Sequence, residues 1–171
     1  MADTATNLIR RYLEDAIAAE KSFETQLKGF ANEGDDGEAK TLFSQHAEET
    51  RSQYERLTAR LDALGGSTST IKSFLAHIFG LSPKPAQIGH EAQERTTQNL
   101  IIAFSVENAE CAMYEALATT ALAAGDDITA RLATEIQAEE KKTADKIWQL
   151  VSPSARYSFA RVTELPLQRS V

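Results

Sequence analysis

Apolar residues recur at intervals of three and four along four long stretches of the chain, and this period predicts amphipathic helices rather than strands. Proline occurs only at 83, 85, 153 and 166, and glycine at 29, 34, 37, 65, 66, 80, 89 and 125. These breakers bound helices over about 4–32, 37–64, 90–124 and 127–151. No segment alternates apolar and polar residues with β-branched enrichment, so no sheet is expected.

Two connections are short, 33–36 and 125–126, and short connections make antiparallel neighbours. The connection over 65–89 is long and carries Ile71, Phe74, Leu75, Ile78 and Phe79 at helical spacing, which predicts a short extra helix ending at Gly80. A connection of that length returns the chain along the whole bundle and makes helices 2 and 3 parallel. The expected architecture is an all-α four-helix bundle over residues 1–151 with a single long crossover. Beyond Pro153, residues Arg156, Tyr157, Phe159, Arg161 and Val162 predict either an arm, over 152–171, packed on the bundle or on a second subunit, or a frayed terminus.

The apolar stripes are interrupted by polar residues in a consistent way. Helix 1 presents Ile9, Leu13, Ala16, Ile17, Phe23 and Leu27, with Glu20 in the middle of the stripe. Helix 2 presents Ala39, Phe43, Tyr54, Leu57, Leu61 and Leu64, with His46, Thr50 and Gln53 among them and Glu49 at one margin. Helix 3 presents Leu100, Ala103, Phe104, Ala118 and Ala121, with Glu107, Glu110 and Tyr114 on the same face. On helix 4 the stripe is Leu132, Ile136, Ile147 and Leu150, with Glu139 and Thr143 inside it and Glu140 at the other margin. Either Glu139 or Glu140 serves as the inward carboxylate of that helix.

A buried carboxylate is costly unless it is paired or bound to a cation. Counting along each helix from the short turns, Glu20 lies 15.5 residues before the first turn centre and Glu49 13.5 after it. Glu110 and Glu139 stand 15.5 before and 13.5 after the second. At about 1.5 Å per residue the four agree within roughly 3 Å. With both short turns expected at the same end of the bundle, the four carboxylates fall in one layer, with Glu107 and Gln53 one turn beyond it. An oxygen-rich cluster of this kind suits iron or manganese first, then zinc, calcium or magnesium. His46 is the nearest nitrogen donor.

Composition narrows the classes of function. With 42 % hydrophobic and 25 % charged residues among 171, the chain is an ordinary globular protein with one sizeable core. No apolar run approaches the roughly 20 residues that span a bilayer. Met1-Ala2-Asp3-Thr4 lacks the pattern of a secretory signal, so a cytoplasmic, membrane-free protein is expected. A net charge of −7 argues against nucleic acid as a partner and is compatible with a collector of cations. The single cysteine, Cys111, excludes a disulfide framework and a cysteine-rich zinc site. No nucleophilic triad, phosphate-cradling glycine loop or nucleotide fingerprint is present.

Several strings, in this order and spacing, resemble the ferritin-like superfamily, and more closely the YciE/YciF type of bacterial ferritin-like proteins. They are Ala19-Glu20-Lys21, His46-Ala47-Glu48-Glu49-Thr50, Glu55-Arg56-Leu57, Val106-Glu107-Asn108-Ala109-Glu110 and Ala138-Glu139-Glu140-Lys141. The similarity spans about residues 5–150. It implies a dinuclear carboxylate site and a homodimer. The ligand set that follows is Glu20, Glu49, Glu107, Glu110 and Glu139, with His46 and Gln53 in or beside it.

The chain departs from the usual pair of Glu-x-x-His motifs. Three residues after Glu49 stands Ser52, and three after Glu139 stands Lys142, an ammonium that could replace one metal charge. Three readings follow. The first is a ferritin-like metal-binding protein concerned with stress or metal handling. The second is a dinuclear oxidoreductase acting on oxygen or peroxide beside Tyr114. The third is a metal-free structural or interaction bundle whose glutamates share protons or pair with Lys142, Lys21 or Arg51.

Overall fold

The computed structural model describes residues 2–33, 37–67 and 91–165. Four helices account for most of them: α1 (Ala2–Asn32), α2 (Gly37–Ala63), α3 (Arg95–Ala123), entered through a 3-10 turn at Ala92–Glu94, and α4 (Asp127–Thr163). No strand occurs among the described residues. None of the helices is long and apolar enough to cross a membrane. The short helix expected over 71–79 lies outside the described residues.

Local chemistry sets the helix ends. Gly65 and Gly125 adopt φ of +74° and +77°, the left-handed conformation glycine accepts without a Cβ clash. At each, two backbone bonds close the helix: Gly66 N to Leu61 O (3.0 Å) with Gly65 N to Asp62 O (2.8 Å), and Asp126 N to Ala121 O (2.9 Å) with Gly125 N to Leu122 O (3.0 Å). Asp126 at once caps α4, accepting from Thr129 N at 3.0 Å, and receives Arg60 Nη2 from α2 at 2.7 and 2.8 Å. Partial burial opposes its charge, but Arg60 and Thr129 win and hold the carboxyl below its ordinary range. Replacing Asp126 with alanine is expected to remove both cap and ion pair. The cost is about 1–3 kcal/mol, read as a Tm fall of roughly 3–10 °C, with Asp126→Asn losing less because it keeps the cap.

The helices pack as antiparallel neighbours, α1 with α2 and α3, and α4 with α3 and α2. The short turns, however, stand at opposite ends, not at the same end. Glu33, at the first turn, accepts from Asn99 near the start of α3 (3.3 Å), whereas Asp126, in the second, meets Arg60 near the end of α2. At that second end Arg10 Nε of α1 also reaches the Leu64 carbonyl, at 2.8 Å. The crossover is the physical reason: by returning the chain to the first turn it makes α3 run parallel to α2, so α3 ends where α2 ends. Glu20, Glu107, Glu110 and Glu140 still meet, because each lies well inside its helix and far from either end.

Helix α4 does not stop at Val151. It runs through Pro153, which forgoes one backbone bond, and on to Thr163. The segment expected as an arm is therefore a continuation of the helix as far as Thr163. Ser154 and Ser158, one turn apart, share hydrogen bonds with Thr97 of α3 (2.9 and 3.0 Å), and Ser158 also donates to the Gln93 carbonyl (2.9 Å). Residues 166–171 lie outside the described residues.

Among the described residues the interior consists of two apolar clusters. One gathers Ile9, Leu13, Ile17, Leu57, Leu61, Tyr114, Leu117 and Ile136 toward the Gly125 end. The other gathers Phe23, Leu27, Phe30, Phe43, Leu100, Val106 and Ile147 toward the opposite end. Between them lies a polar layer.

Candidate metal centre

The layer draws on all four helices. Glu20, Glu107, Glu110 and Glu140 are each at most 1 % exposed, as is Gln53, and His46 is 2 % exposed. Thr50 and Thr143 complete it. Glu20, Glu107, Glu110, His46 and Gln53 thus stand where their stripes predict.

Helix α4 differs. Glu140 is the inward carboxylate, and Glu139 is about a third exposed, receiving Arg56 of α2. The helix is rotated relative to a stripe drawn through Leu132 and Leu150, because α4 meets α3 through small residues. Ala118 and Ala121 face Ala130 and Ala133 in one cluster, and Leu132 and Leu150 only flank the core. The alanines at 130 and 133 mark the buried face of α4, but only its packing against α3 fixes it.

Glu49 is also not in the layer but at its rim, 37 % exposed, with Oε2 3.4 Å from both His46 Nδ1 and Thr143 Oγ1. Lys142, Lys21 and Arg51 are exposed, so none neutralises the inner carboxylates. The helical frame explains the missing motif. On α2 the inward pair three apart is Thr50 and Gln53, and on α4 it is Glu140 and Thr143. A Glu-x-x-His pair is therefore reduced to Thr-x-x-Gln and Glu-x-x-Thr, and the one histidine enters a turn earlier at 46.

His46 is the centre of this geometry. Its Nε2 lies 2.6 Å from Glu107 Oε1 and 3.8 Å from Glu140 Oε2. The contact with Glu107 is close but poorly aligned, so neither atom gains a hydrogen bond from it. Phe23 holds the ring edge-on, centroids 5.8 Å apart. The Gln53 amide donates to Glu140 and, at 3.1 Å, to Glu139. On the other side the Tyr114 hydroxyl donates to Glu20.

The electrostatics follow from burial. Desolvation pushes Glu20 up to about 8 despite the Tyr114 hydrogen bond, and lifts Glu110 well above the carboxylate range with the help of Glu20 and Glu107. Glu140 is raised by the same desolvation and by contact with Glu107. Burial disfavours the His46 cation, but the carboxylates of Glu107 and Glu49 against its two nitrogens outweigh this and raise it to about 9. Glu49 is lowered by the same contact. Tyr114 is driven well above its usual value by burial and by the surrounding carboxyls.

Among the described residues one group satisfies the spacing of a cation site: ligand atoms of His46, Glu107 and Glu140, all buried, lie within 4.8 Å of one another. Both oxygens of Glu107, Glu140 Oε2 and His46 Nε2 have no hydrogen-bond partner. Buried carboxylate oxygens without partners are costly, and a divalent cation would satisfy several at once. These residues fit a metal ion.

Four helices packed as antiparallel neighbours, with one long crossover that makes α2 and α3 parallel, closed around a buried layer of glutamates and one histidine, define a ferritin-like bundle protein. Within that class, residues 4–159 match the family described as a domain of unknown function, DUF892, and the chain belongs to it. Solved structures agree with the fold. A protein from Xanthomonas campestris is 25 % identical, with a TM-score of 0.78 over 94 % of this chain and 99 % of its own. The E. coli stress protein YciF is 24 % identical, with a TM-score of 0.78 over 88 % of this chain and 96 % of its own. YcfI from Rhodopseudomonas palustris is 23 % identical, with a TM-score of 0.75 over 84 % of this chain and 92 % of its own.

Proposed function

We propose that this chain is a metal-binding bundle protein that takes a divalent cation into its core, in the service of metal handling or a stress response. The observation that carries this reading is the buried trio of His46, Glu107 and Glu140, whose ligand atoms converge while Glu107 Oε2 and Glu140 Oε2 meet no donor. One imidazole nitrogen with two carboxylates suits manganese, iron or zinc better than calcium, which prefers oxygen alone. Gln53 would hold Glu140 in position, as partners of ligands generally do. Glu49, at the rim and in contact with His46, is the carboxylate nearest to solvent. The resemblance in fold to a protein named for stress supports the physiological setting.

The test is direct. Chelator-stripped protein is expected to gain stability on addition of manganese(II), iron(II) or zinc(II). At a free concentration of about one hundred times Kd the gain is about 2.7 kcal/mol, a Tm rise of roughly 5–11 °C. Elemental analysis of protein purified without chelator should find the metal. No bound metal, together with no Tm rise for any of the three ions, would remove this reading in favour of a metal-free structural bundle.

A further inference from the structure

We propose that the core holds one cation per chain, on His46, Glu107 and Glu140, and not the pair of ions that a symmetric carboxylate bundle accommodates; this rests on the metal-binding reading above. The two hairpins, α1–α2 and α3–α4, are antiparallel and carry their turns at opposite ends. An approximate twofold axis across the bundle therefore exchanges them. The exchange corresponds to adding 90 to a residue number, and around the polar layer it maps buried positions onto buried positions, Glu20 onto Glu110, Gln53 onto Thr143 and Leu57 onto Ile147, although farther along the bundle it sets Tyr114 against the half-buried Glu24 and Ala118 against the exposed Lys28.

Applied to the trio, the same operation breaks the chemistry. Glu107 corresponds to Ile17, His46 to Ile136 and Glu140 to Thr50. Ile17 and Ile136 are fully buried in the same apolar cluster as Tyr114 and Leu57. Thr50 offers only a neutral hydroxyl. The place that a second ion would occupy across the axis has no carboxylate or imidazole of its own. Glu20 and Glu110, which exchange across the axis, are the remaining acids: Tyr114 engages one Glu20 oxygen, and the other Glu20 oxygen and both of Glu110 meet no donor. Two carboxylates and a neutral imidazole balance one dication. A second dication would have only Glu20 and Glu110 to draw on, with no imidazole and two isoleucines beside it, and among the described residues no second group of three ligand atoms stands within coordinating distance.

The full-length, chelator-stripped protein is titrated anaerobically with manganese(II), bound metal per chain is counted, and the electron paramagnetic resonance spectrum is recorded. The expected result is saturation at one equivalent with the six-line signal of an isolated ion. Saturation at two equivalents, or an exchange-coupled signal, overturns the one-ion proposal while leaving metal binding intact. No binding of manganese(II) or of zinc(II) overturns both. His46→Leu is expected to weaken binding at least tenfold, and unchanged affinity would place the ion elsewhere. Should that variant fail to fold, pulsed resonance on the wild-type manganese form reads the imidazole nitrogen directly, and its absence rejects the assignment.

Discussion

Metal-free protein in which His46 is replaced by leucine is expected to lose about 3–5 kcal/mol at neutral pH, the usual cost of removing one partner from a buried ion pair. His46 is the only buried cation that the described residues bring to the layer, since Lys21, Arg51 and Lys142 are exposed and Arg56 is committed to Glu139. Its two nitrogens face Glu49 and Glu107. Leucine fills a similar volume, so the loss is electrostatic and not a cavity effect. It should read as a Tm fall of roughly 6–20 °C. Glu107→Gln removes the main buried partner, so the double variant should lose clearly less than the two single losses combined. A His46→Leu protein within 0.5 kcal/mol of wild type would show that His46 is an ordinary neutral core residue.

The second large effect is on the pH dependence of the metal-free protein, and its sign follows from the direction of each shift. Glu20 titrates at about 8 in the folded chain against 4.5 when solvated, so the folded state keeps a proton that the unfolded state has released. Stability is therefore lost as pH rises from about 4.5 to 8. At about 1.4 kcal/mol per pH unit the loss from this group is of the order of 5 kcal/mol at most. His46, raised to about 9 from 6.5, acts in the same direction: its contribution is complete below 6.5 and gone once pH passes 9. Glu49 and Asp126, both lowered, contribute above their ordinary values and lose that contribution as pH falls through their folded ones. Unfolding midpoints in urea should therefore peak between about pH 4.5 and 6 and decline steadily toward pH 9. Saturating manganese(II) or zinc(II) should flatten or reverse the alkaline decline, because a cation replaces the protons. A metal-free midpoint that rises from pH 6 to 9 would contradict the protonated, proton-sharing layer.

Both effects arise from residues that the chain marks plainly. Glu20, Glu107, Glu110, His46 and Gln53 interrupt apolar stripes, and a charged residue in such a position needs a partner wherever the helices go. The four helices were equally legible, because a period of three and four between proline and glycine breakers leaves little alternative. The length of the crossover was enough to establish which helices run parallel.

What periodicity along single helices could not supply was rotation and relative placement. The choice between Glu139 and Glu140 depends on about 100° of helix rotation, which close approach through Ala118, Ala121, Ala130 and Ala133 decides, and only two helices in contact can decide it. The exposure of Glu49, its contact with His46, and the pairing of Arg56 with Glu139 are likewise properties of neighbouring surfaces. The extension of α4 beyond Pro153 depends on Thr97, far away in sequence, meeting Ser154 and Ser158. The sequence by itself therefore determined the helices, the bundle and the presence of inward carboxylates, since those follow from local spacing and the cost of burying charge. That the two turns lie at opposite ends follows already from parallel α2 and α3; the tertiary structure alone decided that Glu140 and His46 converge on Glu107, because that exists only once one helix has turned its face against another.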